Sequence, residues 1–260
     1  MSLIITLTGM STSGKSTLAK AMSSRESFKE AVSVTTRPMR PGEIHGVDYY
    51  FVNDDEFNKY VAEGVLLEHV RSHHAAYGVP AFEVENILAE GKSPVIVLEP
   101  IGVQAMYQVA KDKGYNFMSG FVCTDMLTIF HRFFNRIDKQ LSLNKPVDYL
   151  GEAKRLHTIL TIERSWSWAW PWDKLMTDLH QGDNLIKQVN ELESLHYGER
   201  QIQSKANCRL NNEVTIPECM DPHQLSIHIA DVAQGNSSLN SFLRKMTQRS
   251  NKAETCFELK

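Results

Sequence analysis

Gly9-Met10-Ser11-Thr12-Ser13-Gly14-Lys15-Ser16 fits the phosphate-loop pattern G-x-x-x-x-G-K-[ST] without a gap. The apolar run Leu3-Ile4-Ile5-Thr6-Leu7-Thr8 before it reads as a buried strand, and Thr17-Leu18-Ala19-Lys20-Ala21-Met22 after it reads as a helix. A loop of small residues joining two elements is the plain alternative, and the intact spacing with both flanks in place weighs against it. Glycines let the backbone turn its N–H groups inward, and with a helix N-terminus those groups make a cradle for anionic oxygens. Lys15 is then expected to neutralise the β- and γ-phosphates of a nucleotide, and Ser16 to offer its hydroxyl to Mg²⁺.

Further elements follow. Residues 32–52 hold the breakers Pro38, Pro41, Gly42 and Gly46, then Asp48-Tyr49-Tyr50-Phe51-Val52, which looks like a strand. Asn53 and Glu56 have capping-box spacing ahead of a helix with Phe57, Tyr60 and Val61 on one face. Glu83–Glu90 reads as a helix stopped by Gly91, and Pro94–Leu98 as a central parallel strand. A helix near Val103–Lys113 and a strand near Phe117–Cys123 complete an alternation that argues for a parallel sheet covered on both faces.

From Met126 to Arg164 the pattern is helical and rich in cations, with Pro146 and Gly151 expected to break it in two. Trp166, Trp168, Trp170 and Trp172 alternate like a strand, but Pro171 argues against a central one. A base-stacking platform is one reading of this cluster, and packing of a connection against the sheet is the favoured one. Lys174–Asp178 reads as a last strand, and Asp183 as the cap of a helix through Leu195. Beyond His196, Leu225, Ile227 and Ile229 alternate like a strand, and Leu239–Met246 suits a helix.

Among 260 residues, 42% are hydrophobic and 23% charged, as in an ordinary soluble domain of this length with an accessory segment. The formal charge of -3 gives no basic excess that points to a nucleic acid polymer. No apolar run approaches a membrane span, and the start lacks a basic, cleavable leader, so a cytoplasmic location is expected. Cys123, Cys208, Cys219 and Cys256 form no C-x-x-C pair and are read as reduced thiols. His69, His73 and His74 invite a metal reading, which the strand-and-loop character of the region disfavours.

Arg37 and Arg40 stand three residues apart, with hydroxyls before them and tyrosines after. Arginine offers a planar fork to phosphate oxygens, and Tyr49 can add a donor, although the composition equally suits a solvated loop. The segment from Ser33-Val34-Thr35-Thr36-Arg37 to Asp48-Tyr49-Tyr50-Phe51-Val52 resembles the guanylate kinase pattern S-x-T-T-R-x-x-R-x-G-E-x-x-G-x-D-Y-x-F-V. The likeness continues through Asp55-Glu56-Phe57, Leu67-Glu68-His69, Tyr77-Gly78 and Gly102-Val103-Gln104, spans roughly residues 1–195, and weakens after Glu99.

The resemblance implies an α/β fold: a phosphate-loop parallel sheet core flanked by helices, with a nucleoside monophosphate-binding subdomain and a helical lid. It places the core at 1–32 and 92–195, the subdomain at 33–91 and the lid at about 130–155, with 196–260 as a C-terminal extension. It implies a kinase that carries the γ-phosphoryl group of ATP, with Mg²⁺, to GMP or dGMP. ATP falls to Ser11, Thr12, Ser13, Gly14, Lys15, Ser16 and Thr17. Arg37, Arg40, Tyr49 and Tyr77 match residues that hold the acceptor phosphate, and Ser33 and Glu68 match residues that contact guanine. Arg132, Arg136 and Arg155 match lid arginines that close over the phosphates, or equally suit solvated helices.

Three departures gather at the base pocket. Val79 stands where the family has a hydroxyl, Ala75-Ala76 where it tends to have Asn-Tyr, and Val97 and Glu99 where its strand ends Asp-x-Asp. A shifted or broadened base choice, such as dTMP or a modified base, is therefore an alternative. A non-catalytic binding module is another, disfavoured because Lys15, Ser16, Arg37 and Arg40 are all retained.

Overall fold

A computed structural model of the chain describes residues 3–40, 42–71, 75–177, 179, 183–197 and 221–242. His73, His74, Asp178, Cys208, Cys219, Cys256 and the expected helix beyond Phe242 lie outside them. In chain order the first elements are β1 (Leu3–Thr8), α1 (Lys15–Ser23), β2 (Phe28–Glu30), β3 (Val34–Thr35), β4 (Tyr50–Phe51) and α2 (Asp54–Ala62). Next come β5 (Leu66–Arg71), β6 (Ala76–Pro80), α3 (Ala81–Ala89), β7 (Ser93–Val97), α4 (Pro100–Lys113) and β8 (Asn116–Val122). The chain continues with α5 (Met126–Ser142), α6 (Tyr149–Thr161), a 3₁₀ turn (Glu163–Trp168), β9 (Lys174–Met176), α7 (Asn184–His196) and α8 (Pro222–Ala233). They fall into two compact units: the described residues within 1–9, 14–122 and 168–207, and those within 10–13, 123–167 and 208–260.

The first unit is built on a five-stranded sheet in the order β2-β7-β1-β8-β9, parallel throughout. Every residue of β1 is buried, as expected of a strand with a parallel neighbour on each side. Its hydroxyls are satisfied inside: Thr8 Oγ1 donates to the Leu98 carbonyl at 2.7 Å. Leu3, Ile5 and Leu7 share one face, where α1 supplies Leu18, Ala19 and Met22 and α7 supplies Val189 and Leu192. A second sheet, β4-β3-β6-β5, is antiparallel except between β3 and β4. Against it α2 lays Phe57, which packs with Val34, Leu66 and Ala76. The capping box of α2 is complete: Asn53 Oδ1 accepts from the Glu56 amide at 2.8 Å, and Glu56 Oε2 accepts from the Asn53 amide at 3.1 Å.

The second unit is helical. Ile129, Phe130, Phe133, Phe134 and Ile137 form one buried stripe along α5. It packs with Ala153, Leu156, Ile159 and Leu160 of α6, with Leu225 and Ile229 of α8, and with Phe242. The Phe242 ring meets those of Phe134 and Phe130 edge-on, with centroids 5.4 and 6.1 Å apart.

Several local expectations are corrected. Leu225, Ile227 and Ile229 are helical: Leu225 and Ile229, four apart, are buried, while Ile227 is 62% exposed. Alternation over five residues satisfies both periods at two of its three positions, which misled the strand reading. Gly151 does not end a helix; it sits in the first turn of α6, where the capping Asp148 carboxylate accepts from its amide at 2.9 Å. The tryptophan run begins in a 3₁₀ turn, and Trp172 is fully buried against Phe121. Asp183 occupies the N-cap of α7 but accepts no capping bond. The short edge strand β2 carried too few apolar residues to be seen. Among the described residues no helix is long and apolar enough to cross a membrane.

Because Phe242 fills the α5 face, Phe242→Ala leaves a cavity there. We expect a loss of roughly 3–5 kcal/mol, read as a lower denaturation midpoint in urea.

Candidate functional site

In the first unit Gly14, near the end of the phosphate-loop pattern, runs directly into α1, while Met10–Ser13 belong to the second unit. Gly14 takes the N-cap with φ 110°, a conformation that an L side chain rarely adopts. The first turn of α1 carries no acidic side chain, so no carboxylate opposes an anion at its amides. Lys15 reaches back and donates from Nζ to the Gly9 carbonyl at 2.7 Å. Ser16 and Thr17 follow in the same turn.

The second unit holds the middle of the loop. Arg132 on α5 donates to the carbonyls of Thr12 and Ser13 at 3.1 and 2.8 Å. Thr124 Oγ1 donates to the Ser13 carbonyl at 2.9 Å, and Thr12 Oγ1 to that of Ile129 at 3.3 Å. Glu163 accepts from both the Ser11 amide and the Ser11 hydroxyl. The Ser13 hydroxyl is buried without a hydrogen-bond partner. Arg136 and Arg155 both turn to Glu152, Arg136 in a close ion pair and Arg155 with Nε 4.0 Å away.

The arginine segment folds onto the second sheet of the first unit. Arg37 makes a bidentate pair with Glu43, at 3.0 Å from Nη1 and 2.8 Å from Nη2, and stacks 5.4 Å from the centre of the Tyr49 ring. The Tyr49 and Tyr77 rings meet edge-on at 6.2 Å. The Arg40 amide donates to Glu43 at 2.7 Å, and its side chain is exposed. Burial works against the Glu43 carboxylate, but the Arg37 fork and the Arg40 amide outweigh it and hold its pKa below the usual carboxylate range. Arg37, Tyr49 and Tyr77 are thus brought together by β3, β4 and β6. Ser33 lies just before β3 and accepts from the Tyr50 amide through its carbonyl.

Glu68 on β5 is 4% exposed, and its Oε2 has no hydrogen-bond partner. Burial first, and the Glu99 carboxylate second, push its pKa up to about 7. Glu99 is the N-cap of α4, ahead of Pro100. Room for Glu68 comes from Gly102, where a Cβ would stand 2.8 Å from Glu68 Oε2. Val79 is its cross-strand partner, so the two side chains share a face of the sheet. Val79 is fully buried.

Glu43, Glu152 and Glu163 were missed by the sequence reasoning. Glu43 had a signal in its position six residues after Arg37; Glu152 and Glu163 are ordinary helical acids until the fold sets them beside Arg136 and Ser11.

A family model described as guanylate kinase matches residues 1–140. The guanylate kinase of Symbiobacterium thermophilum is 36% identical over 111 residues, 42% of this chain and 53% of that one, so the chain spans about half the length of that relative. The guanylate kinase of Latilactobacillus sakei subsp. sakei is 32% identical over 157 residues, 59% of this chain and 76% of that one. The crystal structure of guanylate kinase from Anaplasma phagocytophilum covers 78% of this chain and 89% of its own at a TM-score of 0.52 and 20% identity, a likeness of fold. Arg155 lies beyond the residues that the family model matches.

The raised pKa of Glu68 makes stability depend on pH with a definite sign. The folded state keeps this proton up to about pH 7, while the unfolded chain releases it near 4.5. The contribution is therefore full below pH 4.5 and falls away as pH rises to 7, by up to ~3 kcal/mol. Glu68→Gln should raise the urea midpoint at pH 8 and leave it near wild type at pH 4.5.

Proposed function

The chain belongs to the guanylate kinase family, and from that premise we propose that it transfers the γ-phosphoryl group of ATP to a guanine nucleoside monophosphate. The observation that carries this reading is the shared sheet under both ends of an acceptor. Arg37, Tyr49 and Tyr77 stand on or beside β3, β4 and β6, and the unpartnered carboxylate oxygen of Glu68 stands on β5. A phosphate suits the first group, since Arg37 already holds a carboxylate in the two-pronged geometry that a phosphate also accepts. Guanine suits the second, since its N1–H and 2-amino donors can both meet a carboxylate. Residues 33–91 are accordingly the acceptor-binding subdomain, and about 130–155 the lid.

The chemistry requires no covalent intermediate. An oxygen of the acceptor phosphate attacks the γ-phosphorus in line, and the protein contributes position and positive charge. Lys15 and the amides of Gly14, Lys15, Ser16 and Thr17 bind the donor phosphates; Arg37, Arg40, Tyr49 and Tyr77 bind the acceptor phosphate. Arg132, Arg136 and Arg155 add charge from the lid, where water exclusion strengthens it. The Ser16 hydroxyl is a hard oxygen donor that would hold Mg²⁺, which when bound would neutralise phosphate charge, and the Glu99 carboxylate would orient its waters or the acceptor. Glu68 orients the base.

Val79 supports a second reading. A buried hydrocarbon facing the Glu68 side of the sheet offers no donor to guanine O6, at a cost of roughly 1–3 kcal/mol. A pyrimidine with one ring N–H asks less of this wall, so dTMP or a modified base is the competing acceptor.

A panel of ribo- and deoxynucleoside monophosphates tests both readings through ADP release. The proposal expects highest kcat/KM with GMP or dGMP, and a clear preference for dTMP would transfer the assignment to the second reading. Lys15→Ala should remain folded and lose on the order of a hundredfold or more in turnover; full activity in that variant would remove the phosphate loop from the mechanism. Guanine donors favour the ionised form of Glu68, so the KM for GMP should fall as pH rises from 6 to 8, and Glu68→Gln should flatten that profile.

A further inference from the structure

The segment Met10–Ser13 is held in a costly shape. Thr12 has φ 64°, the left-handed region that a β-branched residue enters only under constraint. A left-handed residue after ordinary ones makes successive N–H groups converge into an anion-binding nest, so this conformation is useful as well as strained. Such strain of roughly 1–3 kcal/mol persists where neighbouring groups over-determine the backbone.

Thr12 is tied through its hydroxyl to Ile129 and through its carbonyl to Arg132, and the Ser13 carbonyl is tied to Arg132 and Thr124. The carbonyl bonds fix the C-terminal side of the strained residue. On its N-terminal side Glu163 holds Ser11 by two atoms, accepting from the amide at Oε2 and from the hydroxyl at Oε1, the latter at 2.9 Å. Glu163 is 7% exposed, in the 3₁₀ turn that follows α6. A buried carboxylate clamped to one residue's N–H and O–H fixes the Met10–Ser11 peptide plane and the Ser11 side chain, directly before Thr12. Charge-assisted bonds of this kind are about twice as strong as neutral ones.

We propose that Glu163 is a positioning residue for the donor-phosphate loop: by clamping Ser11 it keeps Thr12 left-handed and the loop amides convergent on the phosphates of ATP. The inference rests on the ATP-dependent reading above. Glu163 touches no reacting atom and acts through Ser11. Its loss frees the Met10–Ser11 peptide, and with it the backbone that leads into Thr12, and the cost falls on donor binding before acceptor binding.

Glu163→Ala, Glu163→Gln, Ser11→Ala and the Glu163→Ala/Ser11→Ala pair test it in the full chain. The readouts are KM for ATP, KM for GMP, affinity for ATP by equilibrium titration, and the thermal midpoint. Glu163→Ala should raise KM and Kd for ATP about tenfold or more, the loss of a hydrogen bond to a charged group, and leave KM for GMP within twofold. Glu163→Gln, which can accept from the amide while donating to the hydroxyl oxygen, should recover most of that loss. Ser11→Ala should weaken ATP two- to fivefold alone and add nothing to Glu163→Ala. An unchanged ATP affinity in Glu163→Ala overturns the proposal. So does an equal rise in both KM values with a lower thermal midpoint that Glu163→Gln shares, which marks a structural role only. A wild-type protein that binds ATP without turning it over refutes the kinase reading, while the affinities still decide the role of Glu163; one that binds no ATP refutes both.

Discussion

The shape of the loop from Met10 to Ser13 depends on bonds supplied from outside it. After Met10 its side chains are short, and Thr12 sits where L residues resist going. A guanidinium, a hydroxyl, a backbone carbonyl and a carboxylate hold it, from Arg132, Thr124, Ile129 and Glu163, on or beside α5 and in the 3₁₀ turn. The helix that carries Arg132 therefore also holds the backbone of Met10–Ser13. That arrangement explains why the second unit needs a dense apolar core: Phe130, Phe133, Phe134 and Phe242 fix the helix from which Arg132 reaches. A helix free to slide would lose the loop with it.

At the other end of the proposed substrate the controlling term is desolvation. Glu68 is a carboxylate placed where water cannot reach it, beside another carboxylate, with one oxygen left without a partner. Such a group destabilises the fold at neutral pH, and under the proposed function a donor-rich base would offset that deficit by supplying the missing hydrogen bonds. The arginine segment solves the inverse problem. The Arg37 guanidinium is paired in both prongs by Glu43. The Glu68 oxygen is left without a partner and the Arg37 fork is internally compensated.

Legibility in the sequence followed the range of the physics involved. Periodicity and capping are local, so β1, α1, α2, β7, α4 and β8 could be read from runs such as Leu3–Thr8 and from the Asn53–Glu56 pair. Resemblance added the sites whose residues are close in sequence, above all Arg37, Arg40 and Tyr49. What stayed hidden depends on partners distant along the chain. Glu163 lies 152 residues from Ser11, and nothing near it distinguishes it from Glu152. Leu225, Ile227 and Ile229 misled for the opposite reason, since three residues are too few to separate a period of two from one of 3.6. The α8 helix became intelligible only with the apolar face it covers on α5 and α6.

Gly102 shows what these compromises mean for anyone reshaping the protein. A glycine in the first turn of α4 is worth about 1 kcal/mol less than alanine to the helix itself, yet a methyl group there would press on the Glu68 oxygen. Stiffening α4 with alanine at 102 would have to displace the buried carboxylate, so the helix and the acid beside it can only be redesigned together.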